Sequence, residues 1–118
     1  MITEDYVSFE TAKLLKEKGF KEECYLHYSS NGKTQHWNYQ SPIDGIPAPS
    51  LQMAMKWLRE VKHIPIEILW HYDVDSDVEE WYFIHHAELR ILPNDIEYYE
   101  TYEKACEAGI KYCLENLI

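Results

Sequence analysis

The sequence lacks the features that identify membrane-spanning, secreted and most catalytic proteins. No apolar run approaches the roughly 20 residues that a membrane span requires. The first residues contain no basic stretch followed by an apolar one, so we expect no secretory signal and a cytoplasmic location. The chain also has no Gly-x-Ser-x-Gly elbow, no phosphate-binding loop and no dinucleotide fingerprint. We therefore expect a non-enzymatic protein that uses no cofactor and no metal ion.

Cysteine is scarce and occurs in an odd number. The three cysteines are Cys24, Cys106 and Cys113. An odd count without a secretory signal favours reduced thiols. Cys106 and Cys113 are seven residues apart, which places them on one face of a helix, and no His or acidic residue stands at a zinc-like spacing from them. We interpret the cysteines as small buried apolar side chains.

Basic residues are scarce in the second half of the chain. Residues 64–118 carry 3 basic and 13 acidic side chains, which accounts for the whole net charge of −10. Such a surface repels phosphate backbones and anionic lipid, so we expect no membrane binding and no direct nucleic-acid binding. A basic protein partner is compatible with it, and so is a purely solubilising role. The candidate partner surface consists of Glu97, Glu100, Glu103 and Glu107.

The chain contains enough apolar material for one domain. Its 118 residues are 46% apolar and 14% aromatic, which excludes a disordered chain and predicts a single domain over residues 1–118. Apolar residues at helical spacing predict three helices, each with a hydroxyl residue as its cap, over residues 9–18, 51–62 and 102–116. Aromatic-rich and alternating runs predict strands over residues 24–29, 34–40, 66–72 and 79–87. Asn31-Gly32 favours a type I′ hairpin turn between the first two.

The predicted order is α-β-β-α-β-β-α. All three helices open with a hydroxyl residue, an apolar or aromatic residue, Glu or Gln, any residue, and then Ala. This similarity favours an αββ pseudo-repeat over residues 8–40 and 50–87, followed by a C-terminal helix at 101–117, although capping chemistry alone also produces it. We predict an α+β fold in which two hairpins form one four-stranded antiparallel sheet with helices packed on it.

Alternation along the strands divides the predicted sheet into two faces. Ile66, Ile68, Trp70 and Tyr72 are expected to face the helices. The second face then collects Tyr25, His27, His36, Asn38, Leu69 and His71. Three roles for this face stay open: cover by the third helix, an interface with a second copy or another protein, and a small-ligand site, where imidazoles would suit zinc or nickel.

An acidic segment joins the last two predicted strands, Asp73-Val74-Asp75-Ser76-Asp77-Val78-Glu79. Its alternating oxygens resemble the start of an EF-hand calcium loop. Val78, however, stands where that loop needs glycine, and Ile84 stands where it needs a bidentate glutamate. We interpret the segment as a solvated hairpin loop.

Four segments carry a resemblance to known sequences. They are Tyr6-Val7-Ser8-Phe9-Glu10, residues 12–20, residues 49–60 and the ending Lys111-Tyr112-Cys113-Leu114-Glu115-Asn116-Leu117-Ile118. Together they resemble a group of short, uncharacterised proteins encoded by gut Bacteroidota and their phages or mobile elements. The resemblance spans most of the chain and implies a small cytoplasmic accessory protein with no established activity and no functional residues to carry over, and it leaves a phage-related and a host origin both open.

These observations favour a small acidic protein-interaction or accessory module. Its partner would be a second copy, giving a homodimer, or a basic protein. One alternative is a small-ligand or metal-binding protein that uses the second sheet face. The other is an acidic mimic of nucleic acid that inhibits a DNA-binding protein.

Overall fold

A computed structural model of the chain describes residues 2–36, 45–86 and 97–118, and these form the predicted α+β fold. The elements in chain order are α1 (Phe9–Glu17), β1 (Leu26–Tyr28), β2 (Thr34–His36), β3 (Ile46–Pro47), α2 (Leu51–Val61), β4 (Ile66–Asp73), β5 (Val78–His85) and α3 (Tyr102–Asn116). They follow one another as predicted, with the addition of the two-residue strand β3. The predicted strand portions at residues 37–40 and 87 lie outside the described residues.

The three predicted helix caps are confirmed. The hydroxyls of Ser8, Ser50 and Thr101 each accept a hydrogen bond from the backbone N–H three residues later. Each hydroxyl thereby satisfies a donor that the first helical turn leaves unpaired. Gly19 ends α1 in the left-handed region, with φ of 101°, where a glycine avoids the steric cost of a Cβ.

The strands form two sheets, so the prediction of one four-stranded sheet is wrong. β1 lies between β2 and β3 in an antiparallel sheet, and β4 and β5 form a separate antiparallel pair. Leu26 of β1 pairs with His36 on one side, and His27 pairs with Pro47 on the other. Because both edges of β1 are occupied, it has no free edge on which the second hairpin could continue the sheet.

The core lies between the three helices and the first sheet. Leu15, Leu58 and Ile110, one from each helix, are fully buried. Cys106 and Cys113 are buried beside them, and burial raises the pKa of their thiols to about 11 and about 12. These two thiols are therefore protonated at neutral pH and act as small apolar side chains, as predicted, whereas Cys24 is only partly buried.

Candidate functional site

The β4–β5 hairpin has two chemically different faces. Residues directly opposite each other in an antiparallel pair lie on the same face. The helix face, on which α3 packs, holds Ile66, Ile68, Trp70, Tyr72, Glu79, Trp81, Phe83 and His85. The outer face holds Glu67, Leu69, His71, Asp73, Val78, Glu80, Tyr82 and Ile84.

α3 covers the base of the helix face through aromatic packing at a glycine. A Cβ at Gly109 would lie 3.0 Å from Cγ of Phe83, so the absence of a side chain lets the helix approach β5 closely. The ring of Tyr112 lies 5.9 Å from that of Phe83. The ring of Tyr102, at the start of α3, meets Trp81 edge-to-face at 5.5 Å. These contacts fix the hairpin to the rest of the fold.

The helix cover does not extend to the far end of the same face. Trp70 is 56% exposed and Tyr72 is 42% exposed. Their rings stack on each other with centroids 6.0 Å apart and planes 24° apart. Val74 in the turn and Val78 on the outer face are also exposed, and we call Trp70, Tyr72, Val74 and Val78 the hairpin tip. Exposed large apolar side chains that contact each other, as the rings of Trp70 and Tyr72 do, mark an interaction surface more often than scattered ones do.

The hairpin carries charge of one sign only. Residues 64–86 include six carboxylates and no lysine or arginine. A hydrogen bond from the Ser76 side chain, with one from the Asp75 backbone, holds the pKa of Asp73 below its usual range. The hydroxyl of Tyr72 donates a hydrogen bond to the carboxylate of Asp77, so one carboxylate is tied directly to the aromatic stack. The tip therefore combines exposed aromatic rings with a negative field.

Three of the four glutamates predicted as a partner surface are exposed near this hairpin. Glu97 and Glu100 flank Tyr99, whose backbone pairs with Trp81 at the outer edge of β5, with N···O distances of 2.7 and 2.8 Å. Burial, followed by the charge of Glu97, raises the pKa of Tyr99. Glu103 is exposed in the first turn of α3. These carboxylates extend the negative surface from the hairpin to the start of α3.

The fourth glutamate, Glu107, has a different role. Its Oε1 accepts hydrogen bonds from the hydroxyl of Thr11 at 2.6 Å and from the backbone N–H of Ser8 at 3.1 Å. Thr11 is fully buried. Glu107 therefore links α3 to the start of α1, and its carboxylate is already occupied within the fold.

The histidine-rich face expected from alternation is divided between the two sheets. Tyr25 and His27 belong to the first sheet region, whereas Leu69 and His71 lie on the outer face of the second sheet. His36 is described only through its backbone pairing with Leu26, and Asn38 lies outside the described residues. Because the sheets are separate, Tyr25 and His27 do not share a sheet face with Leu69 and His71.

His27 and His71 also differ in environment. His27 is 2% exposed, and burial lowers its pKa, since the charged imidazolium is poorly solvated there. Nδ1 of His71 lies 3.6 Å from a carboxylate oxygen of Glu80, and its ring lies 4.9 Å from that of Tyr98. Tyr98 thus covers part of the outer face, where cover by the third helix was one of the alternatives.

The histidines and the acidic loop are the two places at which the sequence offers candidate metal ligands. Across residues 2–36, 45–86 and 97–118, no group of three His, Cys, Asp or Glu side chains is placed to hold a metal ion. The segment after Asp73 is a turn joining β4 to β5, which confirms the hairpin loop. Asp77 in this turn has a φ of 56°, a left-handed conformation that Asp tolerates better than bulky residues do.

The exposure of Trp70 and Tyr72 was not predicted by the alternation of side chains along the strand. Alternation assigned them to the helix face correctly but implied that they are buried. The acidic run that begins at Asp73 is the signal that could have corrected this. Ionised carboxylates on both sides of the loop cannot be buried at reasonable cost, so the strand ends beside them must project into solvent.

No protein-family model, curated protein sequence or solved structure matches this chain. The resemblance drawn from the sequence therefore stays a prediction. None of the helices in the described part of the chain is long and apolar enough to cross a membrane.

Proposed function

We propose that this chain is a non-enzymatic protein-interaction module that binds a Lys/Arg-rich segment of a partner protein at the hairpin tip. The observation that carries this proposal is the exposed stack of Trp70 on Tyr72, on a hairpin with six carboxylates and no lysine or arginine. Trp, Tyr and Arg are the residues that dominate binding energy at protein interfaces.

Two aromatic rings on α1 and α2 support a cationic partner for Trp70 by contrast. Nζ of Lys13 lies 4.6 Å from the ring centroid of Phe9, and Nζ of Lys62 lies 5.5 Å from that of Trp57. Both rings thus have a cation from their own chain. The hairpin sequence offers Trp70 no such lysine or arginine. A partner cation would supply this contact, which contributes about 0.5–1 kcal/mol at an exposed site.

The charge also discriminates between a second copy and a basic partner. Two hairpins that each carry six carboxylates repel each other, which disfavours a homodimer through this surface. The same field attracts a cationic segment and raises its association rate. A basic partner is therefore the better of the two protein partners predicted from the sequence.

The test is a binding measurement with a defined peptide. A labelled heptapeptide of alternating Thr and Arg is titrated into the untagged chain, and fluorescence anisotropy is measured at about 0.15 M salt, where exposed charges are largely screened beyond ~8 Å. A charge-reversed peptide of alternating Thr and Glu is the peptide control. We expect the Arg peptide to bind and the Glu peptide not to bind.

A matched pair of aromatic variants separates specific from general attraction. Trp70→Ala should weaken binding of the Arg peptide at least tenfold. Tyr6→Ala, which removes an aromatic residue of similar exposure outside the hairpin, should leave it unchanged. Failure of the wild-type chain to bind, or equal binding by Trp70→Ala, would overturn the proposed function.

A further inference from the structure

The two edges of the β4–β5 hairpin differ in what occupies them. At the β5 edge, the N–H and C=O of Trp81 both bond to Tyr99. At the β4 edge, no strand and no backbone hydrogen bond partner is found in residues 2–36, 45–86 and 97–118. Within the described part of the chain, β4 is thus an open edge along the segment that bears the aromatic stack.

The register shows which backbone groups point out of this edge. Because Trp81 directs its N–H and C=O away from β4, the pair that it makes with Trp70 is a non-hydrogen-bonded one. Trp70 therefore directs its own N–H and C=O away from β5. The hydrogen bond from the N–H of His86 to the C=O of Pro65 agrees with this assignment. These two residues lie an odd number of positions from the Trp70–Trp81 pair, and because the two kinds of pair alternate along the ladder, they are expected to be hydrogen-bonded to each other.

Ile68 and Tyr72 share the orientation of Trp70, because alternate residues along a strand present their backbone groups to the same side. Ile68, Trp70 and Tyr72 also direct their side chains to one face. A strand that bonds to these three residues would consequently run beside the exposed stack. The stretch from residue 68 to 72 has no proline, glycine or lysine, the residues with which proteins commonly block an open edge.

We infer that the basic partner segment binds as an added β-strand along the open edge of β4, with Lys or Arg at alternate positions over Trp70 and Tyr72. This inference rests on the proposed function and specifies its geometry. The backbone bonds would supply affinity, and the alternate cations would supply selectivity, as in other strand-addition complexes. In one antiparallel arrangement of two copies, centred on Trp70, Glu67 of each would stand opposite Asp73 of the other, so charge argues against self-pairing there.

The test uses N-methylated versions of the alternating Thr and Arg heptapeptide. In an added strand, only every second N–H of the peptide faces β4. Methylation of the N–H groups of one residue type should weaken binding at least tenfold, because it removes donors and inserts bulk into the edge. Methylation of the other type should leave binding within about twofold. Loss with the Arg residues indicates antiparallel addition, and loss with the Thr residues indicates parallel addition.

The outcomes separate the two proposals. If both methylated peptides bind like the parent and binding still requires Trp70, the strand-addition inference is overturned and the proposed function stands. If both methylated peptides lose binding equally, the required alternation is missing and the inference is also overturned. If the unmethylated peptide fails to bind, the proposed function itself fails.

Discussion

The base of the molecule and the β4–β5 hairpin use their apolar residues differently. The base, which comprises the three helices and the first sheet, contains almost all of the fully buried side chains. In the hairpin, each strand has eight residues, and Ile66 is the one buried residue of the two strands. Most stability thus comes from the base, whereas the hairpin exposes the stacked rings of Trp70 and Tyr72.

The largest expected effect lies in the base. Leu58→Ala removes a fully buried side chain from α2 and should lower the free energy of unfolding by about 2–5 kcal/mol. Urea denaturation measures this change. Binding of the Arg peptide by the folded fraction should not change. A loss under about 1 kcal/mol would contradict the assignment of stability to the base.

The link between α3 and α1 gives the next effect. Glu107→Ala leaves the buried hydroxyl of Thr11 and the N–H of Ser8 without their carboxylate acceptor, and should cost about 1–3 kcal/mol. Glu103→Ala, an exposed glutamate one turn earlier on the same helix, should cost less than about 0.5 kcal/mol. Equal effects of the two variants would show that Glu107 is only a surface charge.

The buried His27 should make stability depend on pH. Burial lowers its pKa below 6.5, so the unfolded chain binds more protons than the folded chain in the interval below that value. The contribution of His27 to the free energy of unfolding has its full value above pH 6.5. It is lost as the pH falls through the lowered pKa, by at most about 1.4 kcal/mol per pH unit. An NMR titration of the His27 ring measures this directly. A midpoint at or above 6.5 would contradict the prediction.

The contact between α3 and β5 should respond to one methyl group. Gly109→Ala favours the helix by about 1 kcal/mol, but the added Cβ presses against Phe83, and such overpacking costs about 1–3 kcal/mol. We expect a net loss of about 1 kcal/mol in the wild-type background. In a Phe83→Ala background, the same substitution should stabilise the chain. An additive double-mutant cycle would show that the two residues do not press on each other.

The smallest effect on stability is expected at the hairpin tip. Trp70→Ala and Tyr72→Ala remove side chains that are about half exposed, and each should change the free energy of unfolding by about 0.5 kcal/mol or less. Thermal and urea denaturation test this. A loss above about 2 kcal/mol would mean that the stack is part of the core, and the contrast between base and hairpin would then fail.

Much of the local structure could be predicted from the sequence, because it depends on neighbouring residues. The caps at Ser8, Ser50 and Thr101 follow from hydroxyl residues before apolar periodicity, and both hairpins follow from strand runs around turn residues. The division of the strands into two separate sheets was not predictable in this way. It depends on β3, a two-residue strand formed by Ile46 and Pro47, whose pairing with β1 has no local signal.

The candidate site was predicted in part. Alternation placed Trp70, Tyr72 and His71 on the correct faces, because the side-chain period of a strand is local. It could not indicate how far α3 covers the hairpin, since that distance depends on where Gly109 meets Phe83. The role of Glu107 was likewise hidden, because Thr11 is 96 positions away in the chain.

Amide hydrogen exchange of β4, followed by NMR with and without the Arg heptapeptide, tests the central claim most directly. In the free chain, the amides of Ile68, Trp70 and Tyr72 should exchange faster than those of Leu69 and His71, which bond to β5. The peptide should slow the first three amides and leave the other two unchanged. Slow exchange of all five amides in the free chain, or no added protection with saturating peptide, would contradict the account of an open edge that binds a partner strand.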